Sequence, residues 1–206
     1  MNTPDDEQRD QPEQGVKPTA KSGVPPPPSG PRAYFLTLSC YGAWLHGNAA
    51  GSVDPQHNVH GTLVVRPNTA REKAEQNQMD QPLYELDPVR RGHVLDAIKE
   101  VCVYRGWWLF AAHVRSRHFH AVVQAGDAPE KVVNDFKAYA SRRLHKTGLD
   151  APDRKRWSRH GSTRYLWKQE DLERAIKYVL HEQGALMAVY HAPGVTYPEL
   201  SSEPRP

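Results

Sequence analysis

The chain has 206 residues, 38% hydrophobic and 25% charged, which suits one ordinary domain with attachments. No apolar run approaches the length of a bilayer span and the polar N-terminus lacks a signal-peptide pattern, so a membrane location is not expected. The net charge of +3 excludes little by itself. The two cysteines, Cys40 and Cys102, lie in apolar patterns and read as small core residues rather than a disulfide framework, pointing to a reducing cytoplasm.

Charge is unevenly spread. Lys131 to Lys168 holds 11 Lys or Arg against 3 Asp or Glu, a net of +8, which leaves −5 on the remainder. Tyr139, Trp157, Tyr165 and Trp167 interrupt this block. Cations interleaved with aromatic rings suit a phosphate backbone with unstacked bases nearby, whereas a plain solvated helix face has no use for the rings.

In chain order, residues 1–31 carry 8 of the 18 prolines, including Pro25 to Pro28, and read as a tail unable to bury a core, with a short polyproline stretch. "RAYFLTLSCY" alternates apolar and polar residues and predicts a strand. A Gly-, Asn- and Asp-rich segment follows, and residues 45–88 read as a loop and helix insertion, with a polar helix over 69–80. A second helix starts at Pro88 and places Val94, Leu95, Ile98, Val101 and Cys102 at helical spacing. "WWLFAAHV" and "HFHAVVQA" predict a strand hairpin across Arg115 to Arg117. A third helix runs from Pro129 to His145, with Val132, Val133, Phe136, Tyr139, Ala140 and Leu144 on one side. A basic loop then leads to a fourth helix, "QEDLERAIKYVLHEQG", ending at Gly184. Residues 193–206 read as a loose tail. Together these predict an α+β sandwich, one antiparallel sheet with helices packed around it, occupying residues 32–192.

The stretch "RSRHFHAVVQAG" carries the first chemical signal. On a strand, His118 and His120 point to one face while Phe119, Ala121 and Val123 face a core. Two parallel imidazoles on a rigid sheet suit a divalent metal. With 11 histidines in the chain such a pair also arises by chance, so it needs a partner. The fourth helix offers one. Leu172, Ile176, Val179 and Gln183 form its inner stripe, Tyr178 stands at the stripe's edge, and Glu182 stacks one turn beyond Tyr178. A tyrosine hydroxyl can act as a covalent nucleophile, and a carboxylate one turn away can complete a metal site. Taken alone, Tyr178 equally fits a packing tyrosine.

The order "HVRSRHFHAVV", "KAYASRRL", "RYLW" and "AIKYVLHEQG" resembles the HUH single-tyrosine transposases, the insertion-sequence-200-like group to which REP-associated tyrosine transposases are related. The resemblance covers residues 32–187. It implies a ferredoxin-like, RRM-like sandwich, a metal (Mg²⁺ or Mn²⁺) held by His118 and His120, and Tyr178 as nucleophile. It further implies attack on single-stranded DNA at hairpins, a 5′-phosphotyrosine intermediate, a free 3′-hydroxyl, and a homodimer. The family commonly has Gln four residues after the tyrosine as third ligand. Here Glu182 holds that position and is the expected ligand, with Gln183 and then His181 as alternatives. Arg115, Arg117, Lys137, Arg142, Arg143, Arg159 and Arg164 are the expected DNA contacts. The rival reading is a domesticated relative that binds hairpin DNA without cutting it. A histidine-triad hydrolase is disfavoured because Val122 occupies the third alternate position.

Overall fold

The computed structural model describes residues 30–44 and 69–193. The expectations for the N-terminal tail, for most of the C-terminal tail and for the first part of the 45–88 insertion fall outside these residues. The described elements are β1 (Ala33–Cys40), α1 (Thr69–Asn77), α2 (Pro88–Arg105), β2 (Trp108–Val114), β3 (His118–Gln124), α3 (Pro129–Lys146), β4 (Trp157–Leu166), α4 (Gln169–His181) and β5 (Ala188–His191). The strands form one sheet in the order β4-β1-β3-β2-β5, with every neighbouring pair antiparallel. The core succession β1-α2-β2-β3-α3-β4 is the split βαββαβ pattern of a ferredoxin-like α+β sandwich.

Alternation along the strands separates two apolar layers. On one face, Leu36, Leu38, Leu109, Ala112, Val114, Phe119, Ala121 and Val123 pack against Val94, Ile98 and Val101 of α2 and Val132, Phe136, Ala140 and Leu144 of α3. On the other, Ala33, Phe35, Phe110, Val122 and Leu166 meet Leu172, Ala175, Ile176, Val179 and Leu180 of α4. α2 starts where Asp87 accepts the backbone N–H of Arg90 and Pro88 sets the first turn.

Two strands depart from the sequence reading. The segment taken as a basic loop contains β4, and β5 adds a short strand after α4. Arg159, Gly161, Ser162 and Arg164 are exposed on β4, an edge strand of the described sheet, so no apolar alternation announces it. Gly161 suits the close approach of the two strands, since a Cβ there would stand 3.1 Å from the Thr37 carbonyl oxygen.

The 45–88 insertion is also less detached than its polarity suggests. α1 is largely exposed, but Tyr84 and Leu86 are buried in the α2/α3 core. Tyr84 donates its hydroxyl to Asp150 at 2.6 Å, and the same carboxylate accepts from Arg156 Nε at 2.8 Å and Arg90 Nε at 3.1 Å. Burial alone would raise the Asp150 pKa, but these hydrogen bonds outweigh it and hold the carboxyl below its ordinary range. The network ties residues 84–90 to the segment between α3 and β4.

Candidate functional site

The register of the sheet assembles the site. His120 lies opposite Thr37 on β1 and opposite His113 on β2, while His118 lies opposite Ser39. Because residues paired directly across strands share a face, Thr37, His120 and His113 form one row beneath the C-terminal end of α4. The rings of His118 and His120 are 4.8 Å apart at 70°. Thr37 Oγ1 lies 2.9 Å from His120 Nδ1, which leaves Nε2 as the nitrogen of that ring open to another partner.

Tyr178 comes to the same place from α4. Its ring is 5.6 Å from that of His120 and 5.8 Å from Phe35, edge-on to both, and Phe35 stacks on His120 at 5.5 Å. Tyr178 remains 39% exposed, so its ring is held by packing while the residue stays open to water. The amphipathic pattern of α4 produces this arrangement: Val179 and Leu180 bury on the sheet, and the preceding position falls at the edge of the stripe.

Both imidazoles are held neutral. Burial, then the neighbouring His118 and His113, push the His120 pKa down to about 3. His118 is lowered chiefly by burial and next by Arg115. Neutral imidazole is the state that ligates a metal.

The three candidates for a third ligand are placed differently. α4 ends at His181, Glu182 is its exposed C-cap, and no contact joins Glu182 to the histidines among the described residues. The helical projection that favoured Glu182 therefore stops one residue short of it. Beyond the helix the chain turns through Gly184, whose φ of 74° is in the left-handed region, and brings the Gln183 side chain beside His118 and His120, where it partly offsets the lowering of their pKa values. Gln183 Nε2 also donates to the Tyr178 carbonyl at 3.4 Å, which leaves the amide oxygen as the atom for the histidine side. His181, the other alternative, is exposed. Two neutral imidazoles and one amide oxygen fit a divalent cation that takes its remaining ligands from water and phosphate. Among the described residues no group of three or more His, Cys, Asp or Glu is arranged to hold a metal ion.

Two further side chains fix the turn after α4. His113 is fully buried; its Nδ1 donates to the Val179 carbonyl at 3.1 Å and its Nε2 accepts the Met187 N–H at 3.2 Å. Arg115 Nη1 donates to the Ala185 carbonyl at 3.1 Å. Thr37, Phe35 and His113 were not singled out from sequence, since each acquires its place only through strand register.

The expected DNA contacts scatter. Arg115 lies beside the histidines. Arg164 is on the same face of β4, opposite Phe35, and approaches Asp171 only to 3.8 Å. Arg159 is exposed on β4. Arg117 pairs with Glu85 at 2.6 Å, and Arg143 with Glu100 at 2.8 Å. Lys137 donates to the carbonyls of Ser158 and Arg159, and Arg142 covers the ring of Tyr139 at 4.3 Å. α3 packs on the opposite face from the histidines, so Lys137, Arg142 and Arg143 are not brought to the site.

Searches of family models and of curated proteins find no match. Among solved structures the chain is similar to a REP-associated tyrosine transposase bound to a REP hairpin, at 14% identity and a TM-score of 0.39. The likeness covers 73% of this chain and 64% of that one, so the chain spans less than two thirds of its neighbour's length. At that identity the likeness concerns the fold alone. No helix among the described residues is long and apolar enough to cross a membrane.

Proposed function

We propose that this chain is a metal-dependent transposase of the single-tyrosine type that cleaves and rejoins single-stranded DNA at hairpins. The observation that carries the reading is the convergence of Tyr178 with a neutral histidine pair and the Gln183 amide, contributed by α4, β3 and the turn after α4. A packing tyrosine needs no such neighbours, and a hairpin-binding protein without chemistry needs neither the neutral imidazoles nor the exposed phenol.

His118, His120 and Gln183 would hold the cation, Mg²⁺ or Mn²⁺. When bound, the cation would draw charge from a non-bridging oxygen of the scissile phosphate. Thr37 orients His120 through Nδ1, and Phe35 fixes the imidazole and phenol rings against one another. The Tyr178 oxygen attacks phosphorus in line, its proton passing to solvent at the exposed side of the ring. The P–O3′ bond breaks, and the departing oxygen takes up a proton to become a free 3′-hydroxyl. The protein is left on the 5′ side as a phosphotyrosine ester. A second 3′-hydroxyl reverses the step and joins new ends, so no external energy source is consumed. Arg115, at the same end of the sheet, supplies positive charge for the phosphate backbone.

The test uses a strand labelled at both ends and incubated with Mn²⁺. The upstream fragment should be extended by a polymerase, which requires a 3′-hydroxyl, while the downstream label should stay with the protein. Two free fragments with a 5′-phosphate would indicate hydrolysis by water and overturn the assignment of Tyr178.

A further inference from the structure

We propose that Tyr165 and Trp167 form a stacking platform for the unpaired bases of a single-stranded DNA segment beside the hairpin, an inference that rests on the functional reading above. Of the five aromatic residues in the basic block, three are spoken for, Phe136 being fully buried in the core. Trp157 packs edge-on against Phe119 at 5.5 Å and donates to Ser141 Oγ, and Tyr139 lies beneath Arg142. Tyr165 and Trp167 instead expose 46% and 60% of their surface at the end of β4. Their rings are 15° from parallel with centroids 6.4 Å apart.

Two adjacent exposed rings make a contiguous apolar patch, which suits a contact surface better than a scattered surface residue does. The platform is also braced. Tyr34 meets Tyr165 edge-on at 5.3 Å and donates its own hydroxyl to the Asp127 carbonyl. A rigid pair of near-parallel rings is what a sequence-tolerant base contact needs, because every base presents a π-face.

Charge and continuity name the occupant. Arg164 and Lys168 flank the rings and are exposed, and Arg32 lies at the same end of the sheet, reaching Gln169 Oε1 at 3.4 Å. The Arg164–Asp171 pair is loose, at 3.8 Å, so a phosphate can displace it. Phe35 connects the two places, since its ring touches Tyr178 and its backbone pairs with Arg164. A strand leaving Tyr178 passes Phe35 and Arg164 and crosses the β4 edge onto Tyr165. From Tyr34 to Ser39, which faces His118, β1 spans about 17 Å, a reach of a few nucleotides.

The test compares three probes on the full chain: a hairpin with single-stranded flanks, the same hairpin trimmed flush, and a thymine homo-oligonucleotide. Tyr165→Ala and Trp167→Ala should each weaken binding of the flanked hairpin and the homo-oligonucleotide by about ten-fold, leaving the flush hairpin unchanged. Trp167 emission should be quenched by the flanked probe, a change absent from Trp167→Phe. Wild-type affinity for all three probes in both alanine variants overturns the platform. So does shielding of Trp167 from acrylamide in the free protein, which would mean that another segment of the chain covers it. Adduct formation by the wild type is scored separately. Lost flank affinity with no adduct upholds the platform and refutes cleavage; an adduct with unaltered flank affinity does the reverse. No nucleic-acid binding at all refutes both.

Discussion

His113 Nδ1 lies 3.1 Å from the carbonyl oxygen of Val179, joining the central sheet to the last turn of the helix that carries Tyr178. Its other nitrogen accepts from Met187, so one ring pins both ends of the turn that presents Gln183. His113→Leu takes the partner from the buried Val179 carbonyl and from the part-buried Met187 N–H, and should cost about 1–3 kcal/mol in chemical denaturation. The Met187 amide should lose protection from hydrogen exchange, and cleavage should slow more than hairpin binding weakens. Unchanged exchange at Met187 would show that the turn is held by something else.

Gln183 and Glu182 differ by one residue and make opposite predictions. Gln183→Ala should weaken Mn²⁺ binding, read by titration calorimetry, by about ten-fold or more, whereas Glu182→Ala should leave it unaltered. The reverse order would mean that the carboxylate swings inward when metal binds.

The buried Asp150 network predicts a large stability effect far from the histidines. The side chains of Asp150 and Arg156 are only 4% and 5% exposed. Asp150→Ala strands the Arg156 guanidinium without its charge partner, and should destabilise the fold by about 3–5 kcal/mol in urea denaturation. A loss below 1 kcal/mol would mean that water replaces the carboxylate.

Acid should weaken the fold before the carboxylates titrate. His113, His118 and His120 all lie below their ordinary value of 6.5 in the folded chain, by burial first in each case. Below that pH the unfolded chain therefore binds more protons than the folded one. Stability should be level above 6.5 and decline as pH falls toward about 3, the folded value of His120. Asp150 and its kind, with an ordinary value of 3.8, add their loss only at the acid end of this window. Urea midpoints measured in metal-free buffer across the window should fall with pH, and His120→Gln should flatten the slope. A flat wild-type profile between 6.5 and 3.8 would contradict the burial of these rings.

The elements whose burial follows one period were legible in the sequence. β1 alternates, α3 and α4 repeat every three to four residues, and Pro88 and Pro129 mark helix starts. β4 was not, because an exposed edge strand carrying Arg159, Gly161, Ser162 and Arg164 offers no apolar alternation to read. His118, His120 and Tyr178 stood out because spacing alone puts them on defined faces. Thr37 and His113 did not, because their relation to His120 exists only in the cross-strand register. The sequence reading preferred Glu182 to Gln183 on a projection that continued the helix to Gly184, whereas α4 ends at His181. The basic block is contiguous in sequence, yet the sheet divides it between the α3 layer and the β4 edge.

The central claim is that Tyr178 becomes covalently joined to DNA with the help of a cation at His118 and His120. The most direct measurement is a denaturing gel of full-length protein with Mn²⁺ and labelled single-stranded hairpins, followed by mass spectrometry of the shifted band. The account predicts a nucleotide-bearing peptide modified at Tyr178, lost on chelation and in Tyr178→Phe, with the variant still binding hairpins. Tight hairpin binding with no adduct across several divalent metals, or a modification at any other residue, would contradict it.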